Sequence, residues 1–338
     1  MITRILRFVL LLVFSVQLGL AAPSCLQHFV YFGRDRDRLS DHPSLQLQRF
    51  VGAQIIYSWK ELEPRKDAYE FDAIEADLRI LNAHGLKLWI QLQDATFRPT
   101  NQAVPAYIMQ EPEFNGGANP QYDDTGKVEG WVARRWDPAV RERFQRLLEA
   151  LGQRYDGVIA GINLQETAIG ISENDPIKAP GFSAASYRDG IRHNMTALKR
   201  AFPKSVVMQY ANFMPGEALP HNNRGFLASI FDHGEALDIA IGTPDLLPKR
   251  PYQQAHAYRF MREKKAAGKL KIGVAVQDGN YRSKTGDTPD PKPGETWTNL
   301  VPTLADYAEQ TLGVTYMFWS IQEPYFTQDV IPYLSPSR

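Results

Sequence analysis

Eight short runs rich in valine, isoleucine and aromatic side chains, separated by polar loops and segments of helical period, predict an α/β protein: a single (β/α)8 TIM barrel. The absence of any internal repeat, and of any low-complexity linker across the 338 residues, argues for one domain. Barrels of this type routinely use such a length as one unit.

The predicted strands are residues 28–32, 53–59, 86–93, 158–166, 205–212, 237–242, 270–277 and 314–321. A first helix is read over residues 71–82, where Phe71, Ile74, Leu78 and Leu81 share a face and His84-Gly85 supplies the stop. Asp137-Pro138 opens a second, with Pro at the first helical position and Val140, Phe144, Leu147, Leu148 and Leu151 as its apolar stripe. Residues 186–202 and 253–267 read the same way, the latter ending at Gly268. Two connections are long, Asp94–Trp136 after strand three and Asp278–Asn299 after strand seven, and in a barrel both rise over the functional face. The first carries Phe97, Tyr107, Phe114, Tyr122, Trp131 and Trp136, which could stack on sugar rings or pack a small satellite core.

Composition narrows the function. Lys and Arg number 38 and so do Asp and Glu, which excludes a general nucleic-acid-binding surface. The single cysteine, Cys25, allows no internal disulfide and no cysteine metal cage. Residues 1–22 read as a signal peptide: two basic residues, Arg4 and Arg7, precede an apolar stretch over 8–20 and small residues that suit a signal peptidase. The apolar stretch is short for a stable membrane span. A secreted or periplasmic protein is therefore expected, with residues 26–338 as the barrel domain and a lipid anchor on Cys25 as the rival reading, disfavoured by the preceding Ala22-Pro23-Ser24. Asn194-Met195-Thr196 is a glycosylation sequon.

Period-two alternation assigns strand faces. Leu88, Ile90 and Leu92 face the helices, so Trp89, Gln91 and Gln93 point into the barrel; Asn163 and Gln165 point inward from strand four, with Glu166 at its tip. Val274 and Val276 face outward on strand seven, and Ala275 and Gln277 inward. Inward amides gathered near strand ends form either a structural network or, with Glu166 beside them, a carbohydrate site.

Tyr57-Ser58-Trp59-Lys60-Glu61-Leu62-Glu63-Pro64, then Tyr69-Glu70-Phe71-Asp72 and Gly85-Leu86-Lys87-Leu88-Trp89, form one distinctive unit. Trp136-Asp137-Pro138-Ala139-Val140 leading to Leu151–Gly157 forms a second, and Gly161–Glu166 a third. Together they resemble the clan of (β/α)8 glycoside hydrolases that includes β-galactosidases and endoglucanases. The resemblance implies a carbohydrate substrate, no cofactor, Glu166 as acid/base, and Trp319 of Phe318-Trp319-Ser320 as the aromatic floor of a sugar subsite. Strand parity, strand-tip position and the loop aromatics, taken with that resemblance, make Trp59, Gln91, Gln93, Trp131, Asn163, Gln165, Asn212 and Gln277 the candidate substrate contacts.

Two positions depart from the clan. Gln165 stands where Asn usually precedes the acid/base, and Gln277-Asp278-Gly279 puts a neutral amide where the nucleophilic Glu belongs. Two-carboxylate hydrolysis then needs Asp278 or Glu323 as partner to Glu166. If neither serves, the chain is a carbohydrate-binding barrel without turnover. Glu63 beside Pro64 reads as loop-shaping, the run Asp35-Arg36-Asp37-Arg38 as a solvated face or a hydroxyl contact, and Asp245 as a possible substrate contact. The seven histidines show no zinc-hydrolase spacing, and there is no Gly-x-Ser-x-Gly elbow, phosphate loop or dinucleotide fingerprint.

Overall fold

The computed structural model describes residues 26–174, 179–268 and 270–335. Residues 1–25, which include the expected signal peptide and the Cys25 of the rival lipid-anchor reading, lie outside the described residues. Eight parallel strands close into a barrel: β1 (Gln27–Gly33), β2 (Phe50–Ser58), β3 (Lys87–Gln93), β4 (Gly161–Leu164), β5 (Val206–Tyr210), β6 (Ala240–Thr243), β7 (Ile272–Val276) and β8 (Tyr316–Ser320). Each pairs with its neighbour in sequence, and β8 closes on β1 with Phe29 beside Phe318 and Tyr31 beside Ser320.

Long helices cover the outside where the apolar periodicity placed them. Helix α1 (Asp72–Ala83) buries Ile74, Leu78 and Leu81. Helix α2 (Pro138–Tyr155) is capped by Asp137, whose carboxylate accepts from the Ala139 and Val140 amides at 2.8 and 3.2 Å. Helix α3 (Ala184–Ala201) starts two residues earlier than expected, because Ser183 and Ser186 form a reciprocal capping box. The expected 253–267 helix is broken in two at His256, whose Nε2 accepts from the Leu219 amide at 3.0 Å. Within α3, Asn194 is buried and accepts from Gln145 Nε2 at 3.2 Å, so this sequon is enclosed.

Two apolar layers follow from strand alternation. The outer one lies between sheet and helices and includes Ile55, Tyr57, Leu88, Ile90, Val274, Val276, Met317 and Trp319. The inner one plugs the barrel with Phe29, Trp89, Met208, Tyr210, Tyr316 and Phe318. Trp89 is its centre, with ring centroids 4.9 Å from Phe318 and 5.1 Å from Tyr316. Gly161 on β4 makes room for it, since a Cβ there would lie 2.8 Å from the indole. The barrel is therefore packed solid below, and any ligand is confined to the strand C-termini.

The loop after β3 carries its own structure: a three-stranded antiparallel sheet of Ala95–Thr96, Ala118–Tyr122 and Val128–Ala133, and a short helix, Ala106–Gln110. The loop after β7 has no regular element before Val301–Asp306, and is tied down where Trp297 Nε1 donates to Asp329 Oδ2 at 2.7 Å and Gln322 Nε2 to Asp290 Oδ1 at 3.0 Å. No helix among the described residues is long and apolar enough to cross a membrane.

Candidate active site

Glu166 follows β4 at the C-terminal face, half-buried. Burial first, and then the negative Asp245, push its carboxyl up to about 8, against the opposing pull of a hydrogen bond from Asn212 Nδ2 and the charge of Arg135. Asn212 is itself pinned, its Oδ1 accepting from the Ala168 and Phe213 amides at 3.1 and 2.9 Å. Behind Glu166 the buried Asp94 and Arg135 form a bidentate pair at 2.8 and 2.6 Å. Arg135 Nη1 also donates to the Glu166 backbone carbonyl at 2.8 Å and to the Tyr187 hydroxyl at 2.7 Å. Tyr187 in turn donates to the Thr167 carbonyl at 3.1 Å. Both peptides at the β4 tip are thereby held from behind, while the carboxylate takes its own bond from Asn212.

Asp245, just beyond β6, is the charged neighbour of Glu166 and has its own carboxyl pushed up, chiefly by burial. Asn280 donates to its Oδ1 at 3.0 Å, while Asn280 Oδ1 accepts from the Leu246 and Gln277 amides at 2.8 and 3.1 Å. One buried side chain thus joins the tips of β6 and β7.

The same barrel face carries a cleft of about 470 Å³, walled by the ends of β1, β3, β7 and β8; Glu166, Asn212 and Asp245 are not among its lining. Tyr31, Gln93, Phe97, Gln277, Asp278 and Glu323 are among its lining. Asp278 accepts a short hydrogen bond from Ser320 Oγ. Glu323 accepts from the Thr327 hydroxyl at 2.6 Å. Tyr31 links cleft and acid: burial, then the Asp278 charge, hold its phenol far above the ordinary tyrosine range, with Arg34 opposing and Glu166 and Asp245 adding to it. Glu166 and Asp278 are electrostatic neighbours of the same phenol.

No family model and no curated protein matches this sequence. The fold is a (β/α)8 barrel, and solved structures of an amylase, a galactosidase and a xylanase share it. The catalytic domain of a β-amylase from Paenibacillus polymyxa superposes with a TM-score of 0.59 at 8% identity, covering 94% of this chain and 100% of the other. A β-galactosidase from the Antarctic haloarchaeon Halorubrum lacusprofundi gives 0.53 at 15% identity, over 87% of this chain and 52% of that one. Xylanase 10B from Thermotoga petrophila, solved with xylobiose, gives 0.50 at 11% identity, over 87% and 82%. At these identities the likeness establishes the fold.

Several residues expected to touch sugar stand elsewhere. Trp319 is fully buried on the outer side of β8, donating to His28 Nδ1 at 3.1 Å. Phe318 and Ser320, one residue to either side, are the inward positions. Trp59 begins the short helix after β2 and packs on Phe144 at 5.1 Å, donating to Glu63 at 2.8 Å. Asn163 is enclosed in the barrel floor, accepting from Gln54 and Trp89 at 2.9 Å each. Gln91 and Gln165 are hydrogen-bonded to each other at 3.3 Å and buried, and Gln91 Oε1 has no protein partner. Trp131 donates to the Pro99 carbonyl at 2.9 Å and is not part of the cleft lining. Gln93 and Gln277 do line the cleft. Of the loop aromatics, Tyr107, Phe114 and Trp136 are buried, whereas Phe97 is 42% exposed at the cleft wall. Glu63 is buried, paired with Arg143. In the charge run, Arg36 is committed to Glu61 and Asp77, while Asp35 and Arg38 line the cleft.

Sequence reasoning passed over Tyr31, Asn280, Arg34 and Arg98. The first is legible by parity, since Phe29 faces inward and Tyr31 is two residues on. The others lie on loops, whose course no strand or helix period reports.

Proposed function

We propose that this chain is an exported glycoside hydrolase, its signal peptide spanning residues 1–22, that holds a glycan across the cleft with Glu166 as the proton donor. The observation that carries this reading is a β4-tip carboxyl pushed up to about 8, so that it is protonated at neutral pH and able to donate. Glu166 gives its proton to the glycosidic oxygen as the C–O bond breaks. Asp278, exposed at the β7 tip and within electrostatic reach of the same tyrosine, takes the proton of the attacking water. Asp is one methylene shorter than the Glu of retaining enzymes, which favours the wider arrangement that admits water and inverts the anomeric centre. Gln277 carries no charge and takes no part in proton transfer; its place in the cleft wall suits a hydroxyl contact.

The test is reducing-end release by the purified protein on a polysaccharide panel, with the anomer of the first product read by NMR. Glu166→Gln and Asp278→Asn should each abolish turnover while the fold persists. Unchanged turnover in the first variant would remove Glu166 from the reaction, and a retained anomer would replace Asp278 as water-activating base by a nucleophile elsewhere. Binding without turnover across the whole panel would mark the chain as a carbohydrate-binding barrel.

A further inference from the structure

The cleft is electrically divided. The loops after β1 and β3 contribute Arg34, Arg38 and Arg98 against the single Asp35, while the β7 and β8 ends contribute Asp278 and Glu323. Neither acid of the second wall reaches across to neutralise the first: among the described contacts Asp278 is bonded by Ser320, and Glu323 takes both the Thr327 hydroxyl at 2.6 Å and its amide at 3.3 Å. Among the described residues none of the three arginines forms an ion pair, whereas Arg36 in the same run forms two. Arg34 is aimed by a hydrogen bond to Gln93 at the β3 tip, a neutral acceptor.

The arginines also act on one another. Burial lowers the Arg34 guanidinium below its usual range, and the like charge of Arg98 lowers it further, against the pull of Tyr31 and Glu61. Two guanidinium groups lining one open cleft cost free energy that an anion between them recovers, most strongly when it accepts paired N–H donors. Neutral sugars offer only hydroxyls, which one or two arginines serve equally well.

We propose that the basic wall is a subsite for an anionic substituent on the sugar, a uronic acid carboxylate or a sulfate ester, bound between Arg34 and Arg98. This deepens the hydrolase reading and rests on its cleft, though binding is measurable without turnover. Arg34 and Arg98 share the cleft with Tyr31 and Asp278, so the charged unit is bound in the same cleft that the hydrolase reading gives to the glycan.

Calorimetric titration of the Glu166→Gln protein, in low and high salt, tests this with four oligosaccharides: oligogalacturonate, its methyl ester, a sulfated galactan oligomer and a neutral xylo-oligomer. One charged ligand or both should bind at least about ten-fold tighter than the neutral pair, with the preference lost in Arg98→Gln and Arg34→Gln. Added salt should erase the same preference. Oligogalacturonate alone binding would assign a carboxylate, and the sulfated oligomer alone a sulfate. Equal binding of charged and neutral oligomers, or a preference that survives both substitutions, overturns the proposal. Loss of turnover chemistry with anion binding intact would fault the hydrolase reading only.

Discussion

The two halves of the barrel mouth are built differently. On the β4–β6 side, Glu166, Asn212 and Asp245 are half-buried or buried and backed by the Asp94–Arg135–Tyr187 network, every member of which is hydrogen-bonded. On the β7–β8–β1 side, Asp278, Glu323, Arg34 and Arg98 are exposed around an open cavity. Desolvation on one side pushes a carboxyl up to about 8; on the other side the charged groups stay exposed. Proton storage and ligand capture make opposite demands on water, and the proposed function assigns them to these two different sides, with Tyr31 at the boundary.

Mutations should break this division unequally. The largest expected effect is Glu166→Gln, which should reduce kcat by roughly 10²–10⁴-fold or more in assays of glycan hydrolysis. The same variant should be more stable than the parent. A carboxyl raised from 4.5 to about 8 binds a proton in the folded state that the unfolded chain has lost, so its contribution to stability declines as pH rises from about 4.5 to about 8. The thermal midpoint advantage of Glu166→Gln should therefore be absent near pH 4 and full above pH 8.

Next comes the support behind it. Asp94→Ala leaves Arg135 charged and buried without its partner, and should cost about 3–5 kcal/mol in denaturant unfolding. A cost below about 1 kcal/mol would mean that the β4 tip is not held from behind.

A smaller, sharper effect is expected in the pH profile. The parent's kcat/KM should fall as pH rises through about 8, where Glu166 loses its proton. Asp245→Asn removes the negative neighbour and should move that limb to lower pH, with Asn280 still able to donate to the new amide oxygen. An unmoved limb would uncouple the pair.

The smallest effect tests the open side. Phe97→Ala should raise KM a few-fold and leave the unfolding midpoint unchanged, because that ring is 42% exposed. Trp319→Ala should do the reverse, costing about 3–5 kcal/mol of stability through a buried cavity.

That contrast between two aromatics marks where the sequence is legible. Eight strands could be read because buried parallel strands are continuous apolar runs, and the inward set Trp89, Gln91, Asn163 and Ala275 followed from alternation. Trp319 was misplaced by letting a resemblance to sugar-binding aromatics outweigh the parity that puts Phe318 inside. Asn163 lies on the inward side as expected, but one layer too deep, a depth that period two does not encode. The cleft itself was not legible, since its basic wall depends on the course of two loops. Three of the aromatics in the loop after β3 are packed away: Tyr107 and Phe114 meet edge to face with centroids 5.9 Å apart, and Trp136 packs on Phe182 at 5.0 Å.

Asn280 spends its amide on Asp245 and its carbonyl on two backbone amides, one from each of two consecutive strand ends. Those ends cannot be re-engineered one at a time. A loop transplanted from another barrel onto β6 alone would strand the Asn280 carbonyl and amide, and onto β7 alone would leave a buried acid without its donor. Any attempt to graft new specificity onto this scaffold at these two positions has to exchange both returns as a single cassette.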